Sequence, residues 1–304
     1  MIRKREVIRV LDFRMDTFLT VCRLMNYTKA ADALHITQPA VSQHIRFLEN
    51  AYQTQLFSYS GKKLLLTQAG ETLRRAAQTM RHDETFLKQI LGQGEKSGQS
   101  LRFGVTPTVG MYLLPPRVAA YRTRFPEADL QMMVDNTQAL LNHLDDGTLD
   151  FAIVEGYFGK MEYDFLPFRR ERYVALCAAG HTFAKTPRKL EDLLEETLLI
   201  REQGSGNREI IARSLSRQNL LLSDFHNRIE VSDMNVLKVL LTLDCGVAFL
   251  YEAAAAPELR AGTLREIVLT DFQEEHDITF IWQKNSAFSA RYRQLFDFFQ
   301  NRRE

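Results

Sequence analysis

The sequence predicts an α/β chain in two parts: a small N-terminal helical unit with a hairpin and a long exit helix, then a larger α/β body. Three observations carry this. Between Asp16 and Tyr52 apolar residues recur at helical spacing in three short segments broken by turn residues. From Leu66 to Ile90 one long stretch keeps apolar residues three and four apart. From Leu101 onward short apolar strands alternate with helical segments, the pattern of parallel α/β units. A chain of 304 residues also exceeds one ordinary domain.

Composition narrows the class. Apolar residues at 45% and charged residues at 25% suit a globular protein with full cores rather than a disordered one. No apolar run reaches bilayer-spanning length, so no membrane association is expected. The basic opening MIRKREVIRVLDFR is interrupted by Arg9 and Asp12, too short and broken for a signal peptide. Residues 1–14 read as a loose extension ahead of Met15. Cys22, Cys177 and Cys245 are far apart, odd in number and set in apolar contexts, which predicts buried free thiols, no metal site and a cytoplasmic setting. The charge is uneven: residues 1–91 hold 14 Lys/Arg and 8 Asp/Glu, whereas the remainder is acidic. A basic unit on an acidic body expects its polyanion at the N-terminal end.

Within that unit, Phe18, Leu19, Cys22, Leu24 and Met25 define a first helix from Asp16 to about Asn26. A second runs from Thr28, read as its N-cap, to Leu34, and the small pair Ala30-Ala31 lets another helix approach closely. Thr37 is the expected cap of a third, with Pro39 in its first turn, where a missing N–H costs little. On this helix Val41, Ile45 and Leu48 share an inward face. Gln38, Ala40, Ser42, Gln43 and Arg46 lie elsewhere, and such side chains suit a major groove: Gln pairs with adenine, Arg with guanine, Ala with a thymine methyl. Thr28, Lys29, Thr37 and Pro39 complete the candidate DNA contacts of the helices. LFSYSGKKLLLT then reads as a hairpin around Ser60-Gly61, a wing whose Lys62 and Lys63 can meet phosphates. Any one of these side chains alone is most simply a solvated surface.

The stretch FLTVCRLMNYTKAADALHITQPAVSQHIRFLE, with Leu56-Phe57 and the KKLLLTQAG exit, resembles the LysR-type transcriptional regulators over residues 16–73. Tyr52-Gln53 stands where that family usually has Leu-Gly, and Tyr59 where its wing usually has Arg. Thr67 is placed to cap a helix reaching about Leu91, with Asp83 interrupting an a/d seam at positions 66, 69, 73, 76, 80, 87 and 90 that predicts pairing of two chains. Gly92 to Ser100 reads as a hinge. The expected division is an extension at 1–14, a winged helix-turn-helix at 15–72, a dimerisation helix and hinge at 73–100, and an effector domain at 101–304.

In the body, LRFGV, LQMMV, DFAIVEG, YVALCAA, LLI, RIEVS, GVAFL and ITFIWQ read as strands, with RRER between two of them. Helices are expected at 113–125 and 137–145, from Arg208, from Met234, and at the end. Thr106 and Thr108 follow a strand end, and Thr137 opens the next helix; simple N-capping is the alternative role. Gly204, Ser205 and Gly206 precede another helix, where free amides favour an anion, and Arg201 and Arg208 flank them. This half is also similar to the LysR effector domain, most of all to the branch of cysteine-synthesis and carbon-fixation regulators, through LLIREQGSGNR and the LLP, DNT and LDFAIVEG segments. Asn207 replaces the Thr of that branch's GSGTR run. The likeness implies a two-lobed domain like the periplasmic binding proteins, lobe I at 101–168 and 271–304 and lobe II at 169–270. It also implies a small anionic effector held by these Thr, Gly, Ser and Arg residues.

No HExxH, Walker loop or nucleophile elbow is present, so no catalytic residue, metal or cofactor is expected, and Asp145-Asp146 and Glu195-Glu196 read as exposed helix charges. The expected partners are double-stranded promoter DNA, a small-molecule effector, RNA polymerase and further copies of the chain as a homodimer or homotetramer. The alternative is a solute-binding protein, which would need an export signal and would not need residues 16–91.

Overall fold

The computed structural model describes residues 11–93 and 100–300, so the first ten residues of the expected extension and most of the expected hinge lie outside the described residues. The N-terminal unit contains α1 (Phe13–Leu24), α2 (Tyr27–Leu34) and α3 (Gln38–Tyr52), then the antiparallel hairpin β1 (Phe57–Ser60) and β2 (Lys63–Leu66). Helix α1 starts three residues before Asp16 because Asp12 caps it, accepting from the Arg14 N–H; the end of the supposed extension is therefore helical. Likewise Asn26, not Thr28, caps α2 by accepting from the Lys29 N–H at 2.9 Å. Thr37 does cap α3, its hydroxyl accepting from the Ala40 N–H. Val41, Ile45 and Leu48 are buried with Phe18, Val21, Ala30 and Ala31 in one core. The α3 carboxylate Glu49 accepts from the Leu56 N–H at 2.9 Å, fixing the wing to the helix that precedes it.

Helix α4 (Gln68–Gln93) leaves the wing, with Thr67 Oγ1 accepting from the Gly70 N–H as its cap. One face docks on the body. His82 Nε2 lies 3.1 Å from the Asp150 carbonyl, Arg81 donates to the Asp145 carbonyl at 2.7 Å, and the Phe86 and Phe288 rings meet edge to face at 4.5 Å. Asp83 does not interrupt a seam. It points to the body and accepts from Ser286 Oγ at 2.6 Å and the Ala287 N–H at 2.8 Å. Burial alone would raise its carboxyl, but these bonds and His82 hold it below the ordinary aspartate value. Met80, Leu87 and Leu91 are exposed on α4.

The body is built on one mixed sheet, ordered β4-β3-β5-β11-β6-β9-β7-β8, with β10 on β6. Lobe I holds β3 (Leu101–Val105), β4 (Leu130–Val134) and β5 (Phe151–Val154), mutually parallel, with α5 (Pro115–Arg124), α6 (Thr137–Asp145) and α10 (Ser289–Gln300). Lobe II holds β7 (Thr197–Ile200), β8 (Asn227–Glu230) and β9 (Val247–Tyr251), with α7 (Gly206–Ser216), α8 (Met234–Thr242), α9 (Glu252–Ala261) and β10 (Leu264–Glu266). Two long strands, β6 (Tyr163–Ala178) and β11 (Glu274–Gln283), run antiparallel through both lobes and join them. RRER is therefore no break between strands. Its charges pair across the crossover, Arg170 with Glu275 at 2.8 Å and Arg172 with Glu266 at 2.7 Å, which lets a polar segment continue a strand.

Lobe I closes around stacked rings: Phe103 and Phe151 at 5.2 Å, Phe151 and Phe280 at 4.6 Å, with Phe299 against both Phe103 and Phe151. Phe151→Ala is expected to cost the body about 3–5 kcal/mol, the usual loss for a fully buried Phe, read by urea unfolding. A loss below about 1 kcal/mol would mean that this stack does not hold the lobe.

Candidate functional site

On the N-terminal unit, α3 presents Gln38, Pro39, Gln43 and Arg46 to solvent, with Ala40 and Ser42 half-buried between them. Gln38 Nε2 donates to Ser42 Oγ at 3.0 Å, so two candidate base readers hold each other in register. Thr28, Lys29 and Thr37 are exposed at the starts of α2 and α3, and Lys62 and Lys63 at the wing tip. Beside Lys62 and Lys63, Tyr59 is exposed. At the other end of α3, the Arg14 guanidinium lies 3.7 Å from the exposed Phe47 ring.

In the body, the C-terminal ends of β3 and β5 in lobe I face the end of β7 and the start of α7 in lobe II, the usual place for a ligand in an open α/β sheet. Thr106, Thr108, Thr137, Arg201, Ser205 and Gly206 all lie here and are buried. Thr137 does not cap α6. Asn136 does, accepting from the Ala139 N–H, while Thr137 Oγ1 donates to the Glu155 carbonyl at 2.8 Å. The lobes touch through backbone: a Cβ on Gly156 would lie 2.5 Å from Gly206 Cα, and one on Gly206 would lie 2.2 Å from the Glu155 carbonyl oxygen. Only glycine permits this approach. Hydrogen bonds then join the lobes at the rim, from the Gln138 N–H to the Gly204 carbonyl and from Asn136 Nδ2 to Glu202 Oε1, both 3.1 Å. Gly204 meets this geometry with φ of 90°.

The flanking arginines part company. Arg208 lies at the rim, donating to the Arg201 carbonyl at 3.0 Å and pairing with Glu230 at 2.5 Å. Arg201 is buried, its Nε and Nη2 held by Glu202, and its Nη1 has no partner. Nor do Thr106 Oγ1, Asn207 Nδ2 and Glu155 Oε2, all buried in the same region. Buried polar atoms are nearly always satisfied, so such a group marks a place for a ligand or water. Sequence reasoning singled out Asn207 only as a substitution in the GSGTR run and missed Glu155, whose signal was an acid directly ending the apolar strand FAIV. Burial pushes the Glu155 carboxyl up to about 7, against the pull of the Thr108 hydroxyl and the Arg201 charge.

A cavity of about 740 Å³ opens beside this cluster between the lobes, walled by Thr137, Gln138, Tyr157, Phe158, Ser205 and Arg208. A smaller one, about 480 Å³, lies on the crossover strands; its walls include the mutually paired Arg172 and Glu266, so it offers a ligand less. Asp145, expected as an exposed charge, is half-buried and accepts from Tyr163 and Gln283. Among the described residues no group of His, Cys, Asp or Glu is arranged to hold a metal, no helix is long and apolar enough to cross a membrane, and the cysteines are free, Cys177 alone being fully buried.

A winged helix-turn-helix joined by one long helix to a two-lobed, cleft-bearing α/β domain is the architecture of a ligand-responsive DNA-binding regulator. The chain belongs to the LysR family of transcriptional regulators: residues 14–71 match the bacterial regulatory helix-turn-helix of the lysR family, and residues 94–304 match the LysR substrate binding domain. It is 32% identical over 208 residues to the HTH-type transcriptional regulator CysL of Bacillus subtilis, covering 68% of this chain and 70% of that protein. It is 26% identical over 288 residues to the transcriptional activator CmpR of Synechocystis, covering 94% and 93%. Among solved structures, an H2O2-bound cysteine-to-serine mutant of OxyR from Corynebacterium glutamicum superposes with a TM-score of 0.57 at 24% identity, over 96% of this chain and 92% of that one. LysG of the same organism, with bound Arg, gives 0.56 at 20%, over 94% and 97%. At these identities the structures establish the fold. The relatives are transcriptional regulators, not plain solute-binding proteins.

Glu155 has a consequence for stability. The folded chain keeps a proton that the unfolded chain, with an ordinary value of 4.5, releases first. Its contribution is therefore full below about 4.5 and is lost as pH rises towards about 7, by on the order of 3 kcal/mol. Relative to wild type, Glu155→Gln should gain about that much between about pH 5 and pH 8 in urea unfolding; parallel pH curves would contradict this.

Proposed function

We propose that the protein regulates transcription from promoter DNA in response to a small, anionic metabolite held between the lobes. The observation that carries this reading is the pairing, on one chain, of an exposed polar α3 face with a cleft whose buried donors lack partners. In this reading Gln38, Ala40, Ser42, Gln43 and Arg46 read bases, while Thr28, Lys29, Thr37, Pro39, Lys62 and Lys63 meet the backbone. Thr106, Thr108, Thr137, Arg201 and the Gly204-Ser205-Gly206 turn hold the effector, and Arg208 closes the rim.

Two chains pair through the α4 face that carries Met80, Leu87 and Leu91, placing two α3 helices on spaced half-sites. The contacts of α4 named above go to lobe I, and Arg74 adds an ion pair to Glu162 at the outer cavity. A metabolite that changes the angle between lobes therefore changes what the dimer or tetramer presents around a fixed helix, and with it the spacing on DNA and contact with RNA polymerase. The chain works in the cytoplasm, without a cofactor and without catalysis.

Arg46→Ala should weaken binding to the cognate promoter by about 1–3 kcal/mol and relax its sequence preference, measured by fluorescence anisotropy at fixed salt. Unchanged preference would reject Arg46 as a base reader. Leu87→Glu should shift the chain towards monomer in analytical ultracentrifugation and weaken promoter binding with it; an undiminished dimer would remove α4 from the interface.

A further inference from the structure

We propose that Glu155 makes the cleft select a small oxyanion that still carries a proton over one of equal size that carries none. This rests on the cleft reading above and narrows its ligand to a class. The unpartnered atoms are mostly donors: Arg201 Nη1 and Asn207 Nδ2 can only donate, and the hydroxyl of Thr106 can donate as well. Each belongs to a side chain at most 3% exposed. Asn207 stands in the first turn of α7, an eleven-residue helix whose N-terminal amides favour negative charge, and Arg201 lies a few residues before it. A compact group with oxygens pointing several ways satisfies such a set.

Against these donors stands one acid. Glu155 is 1% exposed, its Oε2 has no partner, and its backbone is locked between Thr137 and Gly206. The other ionisable groups about it are Arg201 and Glu202 from the end of β7, which bind each other, and the hydroxyls of Tyr173 on β6 and Tyr251 on β9. A bare carboxylate facing a bare oxyanion repels it in a dry site. One shared proton turns that repulsion into a charge-assisted hydrogen bond. An anion bearing an O–H supplies the proton itself and donates to Glu155, whereas a proton-free anion needs Glu155 to be protonated first. The Gly156–Gly206 backbone contact adjoins Glu155 and the rim hydrogen bonds join the lobes beside it, so the oxyanion proposed is a small one.

Inorganic phosphate and sulfate are matched probes, because phosphate keeps a proton at neutral pH and sulfate has none. In isothermal titration calorimetry of the full chain at about pH 8, phosphate should bind at least about tenfold more tightly than sulfate. Sulfate should recover as pH falls to about 6, as Glu155 gains its proton. Glu155→Gln, whose amide donates without a titrating proton, should bind the two anions alike at both pH values. Equal affinities in the wild type at about pH 8, a preference that survives Glu155→Gln, or no phosphate binding overturns the proposal. If the variant does not fold, the wild-type pH series decides: sulfate affinity independent of pH also overturns it. The broader reading is judged separately by thermal shift, since a larger metabolite that stabilises wild type but not Thr106→Val keeps the cleft as the effector site while removing the oxyanion class.

Discussion

The two lobes approach so closely at Gly156 and Gly206 that no Cβ fits between them, and much of the site follows from that contact. It brings the end of β5 against the first turn of α7, so an acid of lobe I shares a dry volume with the arginine and helix N-terminus of lobe II. It also fixes the rim, because Gln138 and Asn136 reach Gly204 and Glu202 only when the strands stand this near. What keeps the lobes in register is the antiparallel pair β6 and β11, with the charges of β6 neutralised by Glu275 of β11 and Glu266 of β10. A hinge made of paired charges bends at lower cost than one made of packed apolar side chains, since water can replace each partner in turn.

Helix α4 ties this body to the N-terminal unit. Its two faces do different work: His82, Asp83 and Phe86 hold lobe I, while Met80, Leu87 and Leu91 remain open. A helix fixed to one lobe and free of the other is suited to convert a change of lobe angle into a change of subunit placement, because packed elements move as units.

Much of this was legible in the sequence. The inward face of α3, the hairpin, the long exit helix and the strands of both lobes follow from periodicity and from residues such as Thr37 and Gly61 whose conformational preferences are strong. The misses have physical reasons. At α2 an Asn stands two residues ahead of the expected Thr28, and its side chain, one atom longer and a better acceptor, takes the cap. Helix α9 falls in a stretch for which no element was expected; Pro257 lies inside it, and its run of alanines carries the helix across one missing N–H. RRER reads as a loop unless the partner strand that neutralises it is known, and Asp83 reads as a flaw in a seam unless the body it grips is in view. Of the candidate cleft, the Thr, Gly and Arg positions were expected from a strand end, two helix starts and likeness to a family. Glu155 was not, because an acid at a strand end is ordinarily a solvated one and only the folded chain buries it.

In the proposed function, ligand in the cleft is felt at the DNA through α4. Fluorescence energy transfer between dyes attached at position 59 of the two wings of a promoter-bound dimer tests it directly. A saturating cleft ligand should change the separation of the wings, and Thr106→Val should abolish the change. A ligand shown by calorimetry to occupy the cleft, with the wing separation unmoved, would contradict the account.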